Sequence, residues 1–102
     1  MKGKRLSLDG LSLFYNRNTT DNFRVGISVS KKLANAVKRN RLRRQIRECV
    51  KRVLENETQG YDLMFVARQG LCDADFKQIL HTVEAVLIRT ALRNKKSEGT
   101  TT

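Results

Sequence analysis

Residues 24–53 read RVGISVSKKLANAVKRNRLRRQIRECVKRV, and a change of period inside this stretch decides the fold. From Arg24 to Ser30 the period is two: Val25, Ile27 and Val29 fall on one side, Gly26 and Ser28 on the other. Such alternation predicts a half-buried strand whose opposite face is small and polar. From Ala36 onward the pattern changes, and Leu42, Ile46, Cys49, Val50 and Val53 recur at helical intervals. At about 100° per residue they share an arc of roughly 100°, which predicts a helix from about Ala36 to Glu55 with one buried flank. A strand running straight into a long amphipathic helix points to a domain that mixes the two.

Working outward, Leu11, Leu13 and Tyr15 alternate with Ser12, Phe14 and Asn16, which predicts a second strand. Arg5 to Leu8 reads as its partner, with Asp9-Gly10 as a tight turn between them. The polar run from Asn16 to Asn22 is a hairpin loop. Gly60 closes the helical segment, and the apolar run Tyr61 to Ala67 predicts a central strand. Asp73 is the expected N-cap of a last helix, in which Phe76, Ile79, Leu80, Val83, Val86 and Leu87 form one stripe. Beyond Arg93 the apolar residues stop, so 93–102 is expected to be a mobile tail. Residues 1–92 show no repeat and no internal boundary, and a chain of 102 residues has room for one domain. The expected fold class is α+β: a small mixed sheet of about four strands with helices packed on it.

The net charge is +11, and its placement is more informative than its size. Residues 31–52 hold ten of the 21 basic side chains and one acid, Glu48. The rest of the chain holds eleven bases and nine acids. Concentrating like charge this way costs self-repulsion, which a polyanionic partner relieves. Cys49 and Cys72 match no metal-ligand spacing and His81 is the only histidine, so neither zinc nor a disulfide framework is expected. Cys49 lies on the apolar arc and reads as a small buried residue, while His81 reads as a surface or half-buried helix residue. No signal peptide is visible, and no apolar run approaches the roughly 20 residues of a membrane span, so the expected location is cytoplasmic, away from membranes.

On the helix, Asn40, Arg43, Arg44, Arg47 and Lys51 project beside the apolar arc. Arg41, Glu48 and Arg52 lie further round, and Arg39 sits near the edge of the arc. Cations one turn apart, about 5.4 Å, can engage successive phosphates of one strand. All five cations in residues 39–47 are arginine, whose planar fork makes bidentate phosphate contacts and stacks on bases. Asn40 carries both a donor and an acceptor for a base edge or a sugar hydroxyl. Only Glu48 and Glu55 could pair with these charges along the helix, so a merely solvated face is the weaker explanation.

The run RVGISVSKKLANAVKRNRLRRQIR at 24–47, with Arg39-Asn40-Arg41 inside it, resembles the signature segment of the bacterial ribonuclease P protein family. The run YDLMFVAR at 61–68 resembles that family's last strand, and the likeness extends over about residues 5–92. The resemblance implies a left-handed βαβ crossover, where pattern reasoning alone favours the right-handed form. It implies an RNA-binding subunit that assists a catalytic RNA in endonucleolytic removal of the 5′ leader from precursor tRNA. The enzyme would thus be an endoribonuclease whose chemistry belongs to the RNA and its Mg²⁺, with no catalytic residue and no metal ligand in this chain. Its partners would be ribonuclease P RNA and precursor tRNA, with no obligate protein partner.

By position, Arg39, Asn40, Arg41, Arg43, Arg44 and Arg47 match the family's RNA-contacting helix, with Lys31 and Lys32 in the loop before it. Ser12, Phe14, Arg24 and Lys51 fall to the cleft that receives the leader, where Phe14 could stack on a splayed base or pack against a neighbouring helix. The family also carries an N-terminal helix lining that cleft. Met1-Lys2-Gly3 stands where it would end, so that helix is expected to be absent.

The alternative is a small basic ribosomal protein, which would bind RNA stably without changing tRNA processing. A sequence-specific DNA regulator would present short polar side chains to base edges, where this helix offers long cations. A nuclease acting alone would need a carboxylate cluster, a histidine pair or an activated nucleophile, and the sequence offers none.

Overall fold

Two residues with positive φ set the first turn of the chain: Asp9 at 46° and Gly10 at 85°. This pairing suits a two-residue hairpin turn whose twist matches that of the flanking strands. It joins β1 (Lys4–Leu8) to β2 (Leu11–Arg17), with Leu8 opposite Leu11 and Lys4 opposite Tyr15. Gly10 is needed on a second count, since a Cβ there would lie 2.8 Å from the backbone nitrogen of Leu71. The remaining elements are β3 (Arg24–Val29), α1 (Ala36–Val53), β4 (Tyr61–Ala67), α2 (Gln69–Cys72) and α3 (Phe76–Arg89). This computed structural model describes residues 4–55, 57 and 60–90. The expected tail at 93–102 and the chain start at 1–3 lie outside the described residues.

The sheet is mixed and four-stranded, in the order β1-β2-β4-β3. β4 pairs antiparallel with β2 and parallel with β3, which explains its nearly continuous apolar sequence. A parallel pair requires a crossover, and α1 supplies it between β3 and β4. Alternation gives the sheet two unlike faces. Leu11, Leu13, Val29, Leu63, Phe65 and Ala67 are buried on one, in a single core with residues of all three helices. The five α1 residues expected to face inward are the five buried there, and Ile79, Val83, Val86 and Leu87 of α3 join them. Across the other face run two cross-strand rows, Ser7-Ser12-Val66-Ser28 and Arg5-Phe14-Met64-Gly26. Among the described residues no helix is long and apolar enough to cross a membrane.

Four details differ from the sequence reading. The segment joining β2 to β3 is not a hairpin loop, because β4 lies between those two strands in the sheet. α3 is capped by Asp75, not Asp73: the Asp75 carboxylate accepts from the Gln78 backbone N–H at 2.9 Å, and the Gln78 side chain accepts from the Asp75 N–H at 3.1 Å. This reciprocal capping box satisfies two helix-end donors together, whereas Asp73 has Phe76 at the matching position. The four-residue α2 is too short for periodicity to reveal. α1 stops at Val53, where the backbone N–H of Leu54 still bonds to the carbonyl of Val50 at 2.9 Å.

Gly60 fixes the loop at the opposite end of the sheet. Its carbonyl accepts from the Asn18 N–H at 2.9 Å, and the Asn18 side chain bonds to Asn22, Thr20 and Asp62. A Cβ on Gly60 would overlap the carbonyl oxygen of Thr20, so any side chain must displace that network. Gly60→Ala is expected to cost about 2 kcal/mol through this overpacking. The measurement is a lower urea midpoint at unchanged slope, and an unaltered midpoint would show that the loop yields freely.

Candidate nucleic-acid interface

Asn35 opens α1, its side-chain oxygen accepting from the Lys38 N–H at 2.9 Å. The helix then turns its apolar arc onto the core and packs over β3 and α3, leaving the rest of its circumference to solvent. Arg41, Arg44, Arg47 and Lys51 are exposed, as are Lys31 and Lys32 in the turn before the helix. Among the described residues none of these six has an ion pair or a side-chain hydrogen bond. Within the described residues their charge stands uncompensated, which is the condition for a strong positive potential at the surface.

The other cations of the segment are engaged within the protein. Arg39 is half-buried, as its place at the edge of the arc implies. Its Nη1 donates to the Ala34 carbonyl at 2.9 Å, while its buried Nε has no partner. Arg39 therefore ties the loop before α1 to the helix, and part of its fork is committed to that bond. Arg43 Nη1 donates to Asn40 Oδ1 at 2.9 Å, so one lone pair of that oxygen is engaged while both N–H donors of the Asn40 amide remain. Lys38 pairs with Asp73 at 2.9 Å, and Arg52 pairs with Glu48 while lying over the Phe76 ring at 5.1 Å. Such exposed pairs are weak, contributing at most about 1 kcal/mol each.

The open face of the sheet carries a groove of about 640 Å³, whose floor includes Phe14, Gly26 and Met64. Arg5 lies over the Phe14 ring at 5.8 Å from its centroid. Arg24 closes one end in a two-pronged pair with Asp62, Nε to Oδ1 at 2.8 Å and Nη2 to Oδ2 at 3.0 Å. The hydrogen bond from Arg24, then that from Asn18, holds the Asp62 carboxyl below its ordinary pKa. Arg24 thus sits in the groove as a compensated cation.

Two of the four residues expected in a leader cleft do not line this groove. Ser12 is on the same sheet face but only 1% exposed. Its hydroxyl is enclosed by Ser7 Oγ at 2.8 Å and by Arg68 Nε, which donates to it at 3.2 Å. Lys51 belongs to α1, which packs on the opposite face of the sheet, and it extends the basic flank instead of lining the groove. Phe14 and Arg24 do line it. Sequence reading missed Arg5 and Met64. The small residue at Gly26 was a usable signal, but the unbroken apolar run of β4 hides which face Met64 takes.

Among the described residues no three histidine, cysteine, aspartate or glutamate side chains converge as metal ligands.

A family model described as Ribonuclease P matches residues 1–91. The ribonuclease P protein component of Clostridium novyi is 44% identical over 88 residues, covering 86% of this chain and 78% of that protein. The structure of the Staphylococcus aureus RNase P protein superimposes with a TM-score of 0.82 at 37% identity, covering 91% of this chain and 85% of that one. The RNase P protein from Thermotoga maritima superimposes with a TM-score of 0.79 at 28% identity, covering 86% of this chain and 84% of that one.

Proposed function

This chain belongs to the ribonuclease P protein family, and from that premise we propose how its two surfaces divide the work. The protein is the subunit of ribonuclease P that associates with the ribonuclease P RNA in maturing the 5′ ends of tRNA. Family membership, and not basicity alone, decides against a small ribosomal protein. In our reading the exposed flank of α1, with Arg41, Arg44 and Arg47 joined by Lys31 and Lys32, binds RNA phosphates. Asn40 adds a donor for a sugar or a base edge, and Arg39 and Arg43 present what their internal bonds leave free. The sheet-face groove receives the single-stranded 5′ leader of precursor tRNA, with Phe14 as its stacking surface and Arg24 at its end.

The chain contributes positioning and electrostatics, and the bond-breaking chemistry, with Mg²⁺, belongs to the RNA. What supports this part of the proposal is the donor set: among the described residues no three histidine, cysteine, aspartate or glutamate side chains converge to hold a metal. The observation that carries the reading is the row of exposed cations with no carboxylate partner among the described residues.

The test adds the purified chain to ribonuclease P RNA and a precursor tRNA at low Mg²⁺ concentration. Cationic side chains that screen RNA–RNA repulsion should restore leader cleavage that the RNA alone performs poorly under those conditions. Absence of stimulation would defeat the proposed division of labour even if the protein still bound the RNA.

A further inference from the structure

The groove floor holds a chemically distinctive side chain. Met64 is 45% exposed, an unusual setting for a large apolar residue in a central strand. Its thioether lies across Gly26: a Cβ built on that glycine would meet Met64 Cε at 2.9 Å and Sδ at 3.3 Å. The missing side chain at position 26 thus makes the bed in which Met64 rests, between Phe14 in β2 and Gly26 in β3. The two thiols of the chain are buried, at Cys49 and Cys72. Burial pushes the Cys49 thiol up to about 11, keeping it protonated and unreactive at neutral pH. Among the described residues the accessible soft nucleophile is therefore the Met64 sulfur.

We propose that Met64 is a peroxide-sensitive modification site, and that its oxidation to the sulfoxide weakens the hold of the groove on a single RNA strand. The second half rests on the reading of this groove as the leader-binding surface. In the reaction the thioether sulfur attacks one peroxide oxygen, an S–O bond forms and the O–O bond breaks. The departing hydroxide takes up the remaining proton and leaves as water, so sulfur is oxidised by two electrons and the peroxide is reduced. The product is polar and chiral where the floor was apolar and flexible. A base stacking beside Phe14 would lose its apolar neighbour and meet a sulfoxide oxygen carrying partial negative charge.

The experiment treats the full chain with hydrogen peroxide and locates added oxygen by peptide mass spectrometry. The treated and untreated protein are then reconstituted with ribonuclease P RNA. Affinity is compared for precursor tRNA with a leader and for tRNA without one. Met64 is expected to gain one oxygen, with the leader-dependent part of the affinity falling about fivefold, the size of one weakened base contact. Met64→Leu removes the sulfur, and its treated form should match its own untreated form. Met64→Gln places a polar group there without oxidant and should lower the leader-dependent affinity by a similar factor. The proposal fails if peroxide leaves Met64 unmodified, if the sulfoxide forms without changing leader dependence, or if Met64→Leu loses as much on treatment. Phe14→Ala separates the two layers. If it leaves leader dependence intact, the groove is not the leader surface, whatever the fate of Met64.

Discussion

Replacing Ile46 with aspartate is expected to leave no cooperatively folded protein at neutral pH. Ile46 is fully buried, at 0% exposure, in the middle of the arc that α1 turns onto the core. No cation among the described residues is placed to receive a carboxylate there, since the exposed arginines leave the helix on its other flanks. An ionised carboxylate in such surroundings costs several kcal/mol, and the lost side chain removes about 2–5 kcal/mol of burial and packing besides. A domain of this size has roughly 5–15 kcal/mol of stability in all, so the two losses together consume most or all of it. Far-UV circular dichroism and a urea titration read the outcome. Ile46→Ala should remain folded with a lowered midpoint, losing only the packing contribution. A cooperative, near-native transition for Ile46→Asp would mean that α1 does not pack through this residue.

Removing Arg43, Arg44 and Arg47 together by alanine substitution should do the reverse, sparing the fold and weakening RNA binding strongly. Arg44 and Arg47 are exposed and have no partner among the described residues, and Arg43 bonds only to Asn40 on the same helix. Their loss leaves the buried arc untouched, and alanine is the best helix former, so thermal stability should hold or rise slightly. Each phosphate contact releases condensed counterions, so losing three should flatten the plot of log affinity against log salt by roughly two to three units. At moderate salt the affinity should fall roughly a hundredfold. Arg43 contributes the smallest share of the three, because one of its nitrogens is already committed to Asn40. An unchanged salt slope would move the RNA surface off this helix. The opposite responses of Ile46→Asp and the triple alanine variant separate the two flanks of one helix by experiment.

Periodicity was a sound guide to which side of each element is buried. The five inward residues of α1, the alternation of β2 and β3 and the central place of β4 follow from spacing alone, because burial of apolar surface acts on every turn and every second residue. The asymmetry of charge was equally legible, since Glu48 and Glu55 are the only carboxylates along the helix within reach of the five arginines at 39–47. Local hydrogen bonding was partly legible as well: Asp75 has Gln78 three residues on, the spacing of a capping box, whereas Asp73 has Phe76 there.

What folding alone decided are the partners that lie far apart along the chain. Arg24 finds Asp62 across 38 residues and becomes a compensated cation, and Ser12 is enclosed by Arg68 from 56 residues away. Lys51 falls on the far side of the sheet from the groove because α1 packs on the core face, a choice its own sequence does not record. Spacing reports the direction in which a side chain leaves its helix or strand. It carries no information about the group that meets it there, because that meeting depends on strand order and register, which are properties of the whole sheet.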